Sequence, residues 1–270
     1  MDLLSQVMRL PYAKGLWARL PVGRVDLKVQ YGIYPRPHYA YGVYWAAYLA
    51  SCIGVPRITA IELGVAGGRG LLALEAACAE IGSFLGVKID VVGFDGGEGL
   101  PPPVDYRDLP HVWNAGYYKM DQAALRAKLQ SAKLVIGDVG VTVNHWLRDS
   151  IESPLGFVAF DLDYYSSTKA ALALLDGPES THLPRVHCYF DDLAAGDQSC
   201  MNRYVGEYLA IDEFNAAHRD RKICPIEQLR INRPSYEQWQ ERMYAFHNFS
   251  HAKYTQVVIR GASHTTELPL

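Results

Sequence analysis

No run of apolar residues in the chain approaches the roughly 20 that a membrane-spanning helix needs. The opening residues, Met-Asp-Leu-Leu-Ser-Gln, also lack the basic flank and apolar stretch of a secretory signal. Cysteine is scarce. The five residues at 52, 78, 188, 200 and 224 are odd in number and never spaced C-x-x-C, which argues against both a disulfide framework and a zinc site. These absences lead to the expectation of a soluble, cytoplasmic protein with reduced thiols and no membrane partner. Basic blocks are missing too. Lys and Arg number 26 against 29 Asp and Glu, a formal net charge of −3, which disfavours an electrostatic nucleic-acid binder. Internal repeats and low-complexity segments are also absent.

What remains is ordinary globular composition, 49% hydrophobic and 20% charged over 270 residues, long for one domain and short for two. One α/β domain with embellishments is expected, as a monomer or a homo-oligomer. Tyrosine is abundant, with 18 in all and seven of them between Tyr12 and Tyr48. Tyr41, Tyr44, Trp45, Tyr48, Leu49 and Cys52 share a helical face, which predicts core packing. From Tyr31 to Tyr39, Gly32, Pro35 and Pro37 interrupt regular structure, and a lid over a polar pocket is expected there. Residues 1–57 thus form a tyrosine-rich N-terminal cap or lid, ahead of a main domain over 58–270.

That main domain alternates strand and helix, the pattern of a doubly wound parallel sheet. Strands are expected at Ile58 to Leu63, Ile89 to Phe94 and Lys133 to Ile136, and a late one at Tyr254 to Arg260. Helices are expected from the glycine loop to about Ile81, over Asp121 to Gln130, over Trp146 to Ile151, around Thr168 to Leu175 and over Arg203 to Ala217. A long irregular stretch after Gly96 carries Tyr106, His111, Trp113, Tyr117 and Tyr118, which suggests a substrate-facing loop.

Two further apolar runs stop at aspartate: Gly156 to Phe160 meets Asp161 and Asp163, and Arg185 to Phe190 meets Asp191 and Asp192. Such runs are buried central strands, and ligands of open parallel sheets sit at strand carboxyl ends. Several carboxylates gathered there need a cation or hydrogen-bond donors, and a hard oxygen-preferring ion such as magnesium suits them. Helix capping competes for Asp163 but does not account for the adjacent Asp191 and Asp192.

Glu62-Leu-Gly-Val-Ala-Gly-Gly-Arg-Gly70 lies between a strand and a helix, where a nucleotide-binding glycine loop belongs, with Gly64, Gly67 and Gly68 as its turn residues. Asp95 ends the next strand and can accept from ribose hydroxyls, in NAD or in S-adenosylmethionine. Asp138 can accept from an adenine amino group or serve as a turn residue. Glu62 can orient the loop or meet a ligand ammonium. A sulfonium ligand tolerates this acidic lining, whereas a pyrophosphate is repelled.

Four segments, Glu62 to Gly68, Gly93 to Pro101, Phe160 to Leu172 and Tyr189 to Asp192, together resemble the macrocin O-methyltransferase family, metal-dependent class I methyltransferases that act on sugar hydroxyls of natural products. The resemblance covers roughly residues 58–217. It implies a seven-stranded sheet with one reversed late strand, S-adenosylmethionine, Mg2+ held by Asp161, Asp191 and Asp192, and Asp163 as general base. Catechol O-methyltransferase is similar at these two strand ends but uses a lysine base, where this chain has Tyr164. Departures lie beside the acceptor pocket: Thr181-His-Leu-Pro184 replaces the family's Pro-Gly-Gly, and Leu193-Ala-Ala-Gly196 follows the second aspartate pair in place of an aromatic. His145 is a rival base, and His187 a core residue. The expectation is O-methylation of a small-molecule hydroxyl. A metal-dependent glycosyltransferase using Asp161-Leu-Asp163 and a non-catalytic S-adenosylmethionine-binding protein are the alternatives.

Overall fold

The computed structural model describes residues 12–20, 22–149, 152–194, 196–233 and 235–258. Three helices, α1 (Ala13–Ala18), α2 (Val25–Tyr31) and α3 (Pro37–Cys52), precede β1 (Arg57–Leu63). The chain continues through α4 (Arg69–Leu85), β2 (Lys88–Asp95), α5 (Gln122–Arg126), β3 (Lys133–Ile136), α6 (Val139–Asp149), β4 (Leu155–Phe160), α7 (Tyr165–Ala171), β5 (His182–Phe190), α8 (Gly206–Ala217), β6 (Arg221–Pro225) and β7 (Met243–Asn248). The strands form one sheet in the order β3-β2-β1-β4-β5-β7-β6, with β7 antiparallel to both its neighbours.

Alternation along the central strands explains why both sheet faces are covered. Ile58, Ala60, Phe157, Ala159 and Tyr189 point into the core shared with α3 and α4. Their neighbours Ile61, Leu63, Val158, Phe160 and Phe190 point into the opposite core, shared with α6, α7 and α8. Strands buried on both faces must be apolar throughout, hence the unbroken runs in the sequence.

Register then sets the site. Leu63 pairs with both Phe94 and Phe160, and Phe160 pairs with Phe190, their rings stacked 4.6 Å apart. The next residue on each strand, Gly64, Asp95, Asp161 and Asp191, therefore emerges along one edge of the sheet.

Three expectations are corrected. The late strand is Met243–Asn248, while residues 254–258 are turn and irregular backbone and 259–260 lie outside the described residues. Tyr254 is drawn back instead, its hydroxyl hydrogen-bonded to His247 Nδ1 at 2.8 Å and its ring against Arg185. Second, α5 stops at Arg126 because the amides of Gln130, Ser131 and Ala132 turn to donate to the Glu75 carboxylate. Third, the aromatic face of α3 is only partly core: Leu49 is buried and Tyr41 and Tyr44 pack against the core, but the helix turns mainly its small residues inward. Trp45 is 39% exposed and Tyr44 and Tyr48 are half-buried, while Val43, Ala46, Ala47 and Ala50 are fully buried.

Small residues win the inner face of α3 because they let it approach the sheet. A Cβ on Gly42 would stand 2.3 Å from two ring carbons of Phe157. Gly42→Ala is expected to cost about 1–3 kcal/mol, as other overpacked cores do, and to lower the thermal midpoint by several degrees. An unchanged midpoint in a scanning-calorimetry trace would contradict this packing account.

Candidate active site

A cavity of about 730 Å³ opens along the strand edge. It gathers Glu62, Gly64, Gly67, Gly68, Asp95, Asp138, Asp161, Asp163, Asp191 and Asp192 around one volume. His145 is not among them. Val143 and Trp146 anchor α6 in the core, which leaves His145 exposed on the helix's outer side, so it is corrected as a candidate base.

The glycine loop is held from below. Asp95 Oδ2 accepts from the amides of Val65 and Ala66 at 2.9 and 2.8 Å, and its Oδ1 accepts from Gly97 at 2.6 Å. In this structure the strand-end acid that was expected to meet ribose hydroxyls braces the loop, and Ala66 within that loop has a positive φ of 44°. Glu62 lies beneath the start of α4, where a Cβ on Gly70 would overlap its Oε1 at 1.8 Å. That oxygen accepts from the Tyr39 hydroxyl at 2.7 Å, and the other, Oε2, is buried without a partner.

Burial, reinforced by Asp161, pushes the Glu62 carboxyl up to about 8 despite the Tyr39 hydrogen bond. Because the folded value lies above the unfolded one, ionising Glu62 costs stability progressively between about pH 4.5 and 8. Glu62→Gln, which keeps an acceptor for Tyr39, should match the wild type near pH 4 and exceed it by roughly 4 kcal/mol at pH 8. Denaturant titrations at the two pH values measure this, and equal stability at pH 8 would refute it.

At the other end, Asp161 is half-buried, with no hydrogen bond to its carboxylate among the described residues. Burial first, then Asp192 and Asp191, hold it well above the usual carboxylate range. Asp192 is raised in the same way by burial, Asp163 and Asp191, and its Oδ2 accepts from the Asp163 amide at 2.9 Å. Asp191 Oδ1 accepts from Tyr189 at 2.7 Å and from Arg242 at 3.2 Å. Asp163 is 6% exposed, has a φ of 60°, and is pushed up to about 7 by burial and then by Asp161 and Asp191.

The donor chemistry suits a hard divalent cation: three carboxylates that repel one another, each with an oxygen free of protein donors. Their spacing is looser than their charge implies. Among the described residues no three His, Cys, Asp or Glu side chains are already drawn together as a ligand set.

No family model matches the chain, and no curated protein does. Among solved structures it is similar to CalS11, a calicheamicin methyltransferase, at 20% identity over 91% of each chain with a TM-score of 0.52. It is also similar to the O-methyltransferase TomG from Streptomyces achromogenes, at 12% identity over 91% of this chain and 98% of that one, with a TM-score of 0.41. The fold is that of a class I methyltransferase.

Several residues of this methyltransferase fold that shape the cleft escaped sequence reasoning. Asp108 is fully buried and ties the long loop to α7, accepting from Val104 N, Ser166 N and Ser166 Oγ at 2.8–2.9 Å. The loop so held delivers Trp113 and Tyr118 to the cavity wall. Glu207 lies beneath the aspartates, accepting from the Asp192 amide at 2.9 Å, with its Oε1 buried and unpartnered. From the expected lid over residues 31–39, only Arg36 lines the cavity, while Tyr31, Tyr34 and Tyr39 are buried. Only a length-specific loop contact or a side-chain direction would have revealed these roles, and a single sequence shows neither. Among the described residues no helix is long and apolar enough to cross a membrane.

Proposed function

We propose that the chain is an S-adenosylmethionine-dependent O-methyltransferase that acts on a hydroxyl of a small molecule, a sugar or other natural product. One observation carries the reading: the glycine loop with its acids, and the four aspartates, line a single cavity at the strand carboxyl ends of a class I methyltransferase sheet. In this reading residues 58–270 are the methyltransferase domain and residues 1–57 its cap. The resemblance to CalS11, itself a methyltransferase, supports the class.

Asp95 and Asp138 would flank the adenosine, and Glu62 the amino-acid half of the donor. S-adenosylmethionine brings a methyl group that its sulfonium already makes electrophilic. The protein's task is then orientation and deprotonation. Asp163 faces the cavity beside Asp161 and Asp191 and takes the acceptor's proton. Asp161, Asp191 and Asp192 would hold Mg2+, which would supply Lewis acidity at the acceptor hydroxyl. The Asp191–Arg242 pair already offsets part of their charge.

The test is methyl transfer from labelled donor to a panel of sugar and phenolic hydroxyls, with Mg2+ and with chelator. Transfer to a hydroxyl that falls at least ~100-fold in chelator and returns with Mg2+ is expected. Equal rates in chelator would remove the metal from the reading. Sugar transfer from a nucleotide donor in place of methyl transfer would remove the reading itself.

A further inference from the structure

The cavity that gathers so many carboxylates has two guanidinium groups on its wall, Arg36 and Arg69. Arg36 is the residue before α3, the helix packed on β4 and β5, so it enters from the side of Asp161 and Asp191. Burial works against its charge, but Tyr39, Glu62, Asp161 and Asp191 together more than offset that and hold it. Even so, among the described residues its side chain makes no hydrogen bond and no ion pair; its one ring contact is Tyr39, with the guanidinium 5.6 Å from the centroid. Five donors aimed at a cleft and committed to nothing are an anion receptor in waiting.

The methyl donor supplies such an anion. It carries a sulfonium, an ammonium and a carboxylate, and the acidic lining suits the first two and repels the third. Sheet order fixes which way round the donor lies. Asp95 and Asp138 follow β2 and β3 at one side, and Asp163 follows β4 at the other. With adenosine over the former and the methyl group facing the latter, the amino-acid half falls beside Glu62 and Arg36. Arg69, by contrast, is exposed at the start of α4.

We infer that Arg36 is the specificity-determining residue that receives the donor's carboxylate, while Glu62 takes the ammonium. The inference rests on the methyltransferase reading and is separable from it by calorimetry on the full chain. S-adenosylmethionine and its decarboxylated analogue are titrated into the wild type, Arg36→Met, Arg36→Lys and Arg69→Met, each checked by circular dichroism. The wild type should prefer the carboxylated donor by about 10- to 100-fold, the worth of a charged hydrogen-bonded pair. Arg36→Met should erase that preference by weakening the carboxylated donor alone, Arg36→Lys should retain part of it, and Arg69→Met should leave it in place.

A preference unchanged in Arg36→Met, or lost in Arg69→Met instead, overturns the inference and leaves the reading standing. So does an Arg36→Met that binds both donors normally but raises the KM for the acceptor, because the guanidinium then serves the acceptor. Wild type that binds neither donor overturns the inference together with the reading.

Discussion

Asp163→Asn should lower turnover by roughly 100- to 10,000-fold while leaving the affinity for S-adenosylmethionine within a few-fold of the wild type, the span that a positioned general base contributes. The variant is chosen to remove only the base. Asparagine tolerates the left-handed backbone at this position, where φ is 60°, as well as aspartate does, and the backbone N–H that donates to Asp192 is untouched. A fall in turnover therefore reports chemistry, not collapse of the aspartate cluster. His145→Ala should leave turnover unchanged, since His145 is exposed on α6 and away from the cavity. Single-turnover rates with labelled donor measure both. Normal rates in Asp163→Asn, or a collapse in His145→Ala, would show that the proton goes elsewhere.

Gly64→Ala should be among the most damaging single substitutions in the chain. Gly64 follows β1 with a φ of 84°, and a Cβ there would stand 1.7 Å from the backbone carbonyl oxygen of Asp161. The left-handed backbone alone costs an L-residue about 1–2 kcal/mol. The overlap is with backbone and no rotamer relieves it, so β1 and β4 must part where the glycine loop and the aspartates meet. We expect a loss of about 4 kcal/mol or more, a fall in thermal midpoint on the order of 10 °C, and no donor binding. Gly67→Ala is the internal control. Its Cβ would meet nothing within 4 Å, so stability should hold, and any lost affinity would mark where the donor passes the loop. Equal thermal midpoints for the two variants would contradict the claim that Gly64 joins the two halves of the site.

The parts of this molecule legible in its sequence are those dictated by local chemistry. Strands β1, β4 and β5 announce themselves as apolar runs because they are buried on both faces, and the acids at the strand ends fall together because parallel register aligns them. The glycine loop was legible for the same reason: its glycines mark a turn that other residues fit poorly. Harder cases turned on contacts between distant segments. Strands β6 and β7 are short and carry polar residues, so the stretch from Tyr254 has the more strand-like pattern. The aromatic face of α3 looked like core, but helix-to-sheet distance is set by Gly42 and the alanines, which leave Trp45 outside. Arg36 was hidden among prolines and tyrosines, and its value lies in what it does not bind.

Every role proposed for the cleft depends on its holding S-adenosylmethionine. Isothermal titration of the full chain with S-adenosylmethionine tests it most directly. Saturable one-to-one binding is expected, with a Kd in the micromolar range or tighter, about −8 kcal/mol or better, abolished in Gly64→Ala and weakened in Asp138→Ala. Absence of binding by the folded wild type, with or without Mg2+, would contradict it.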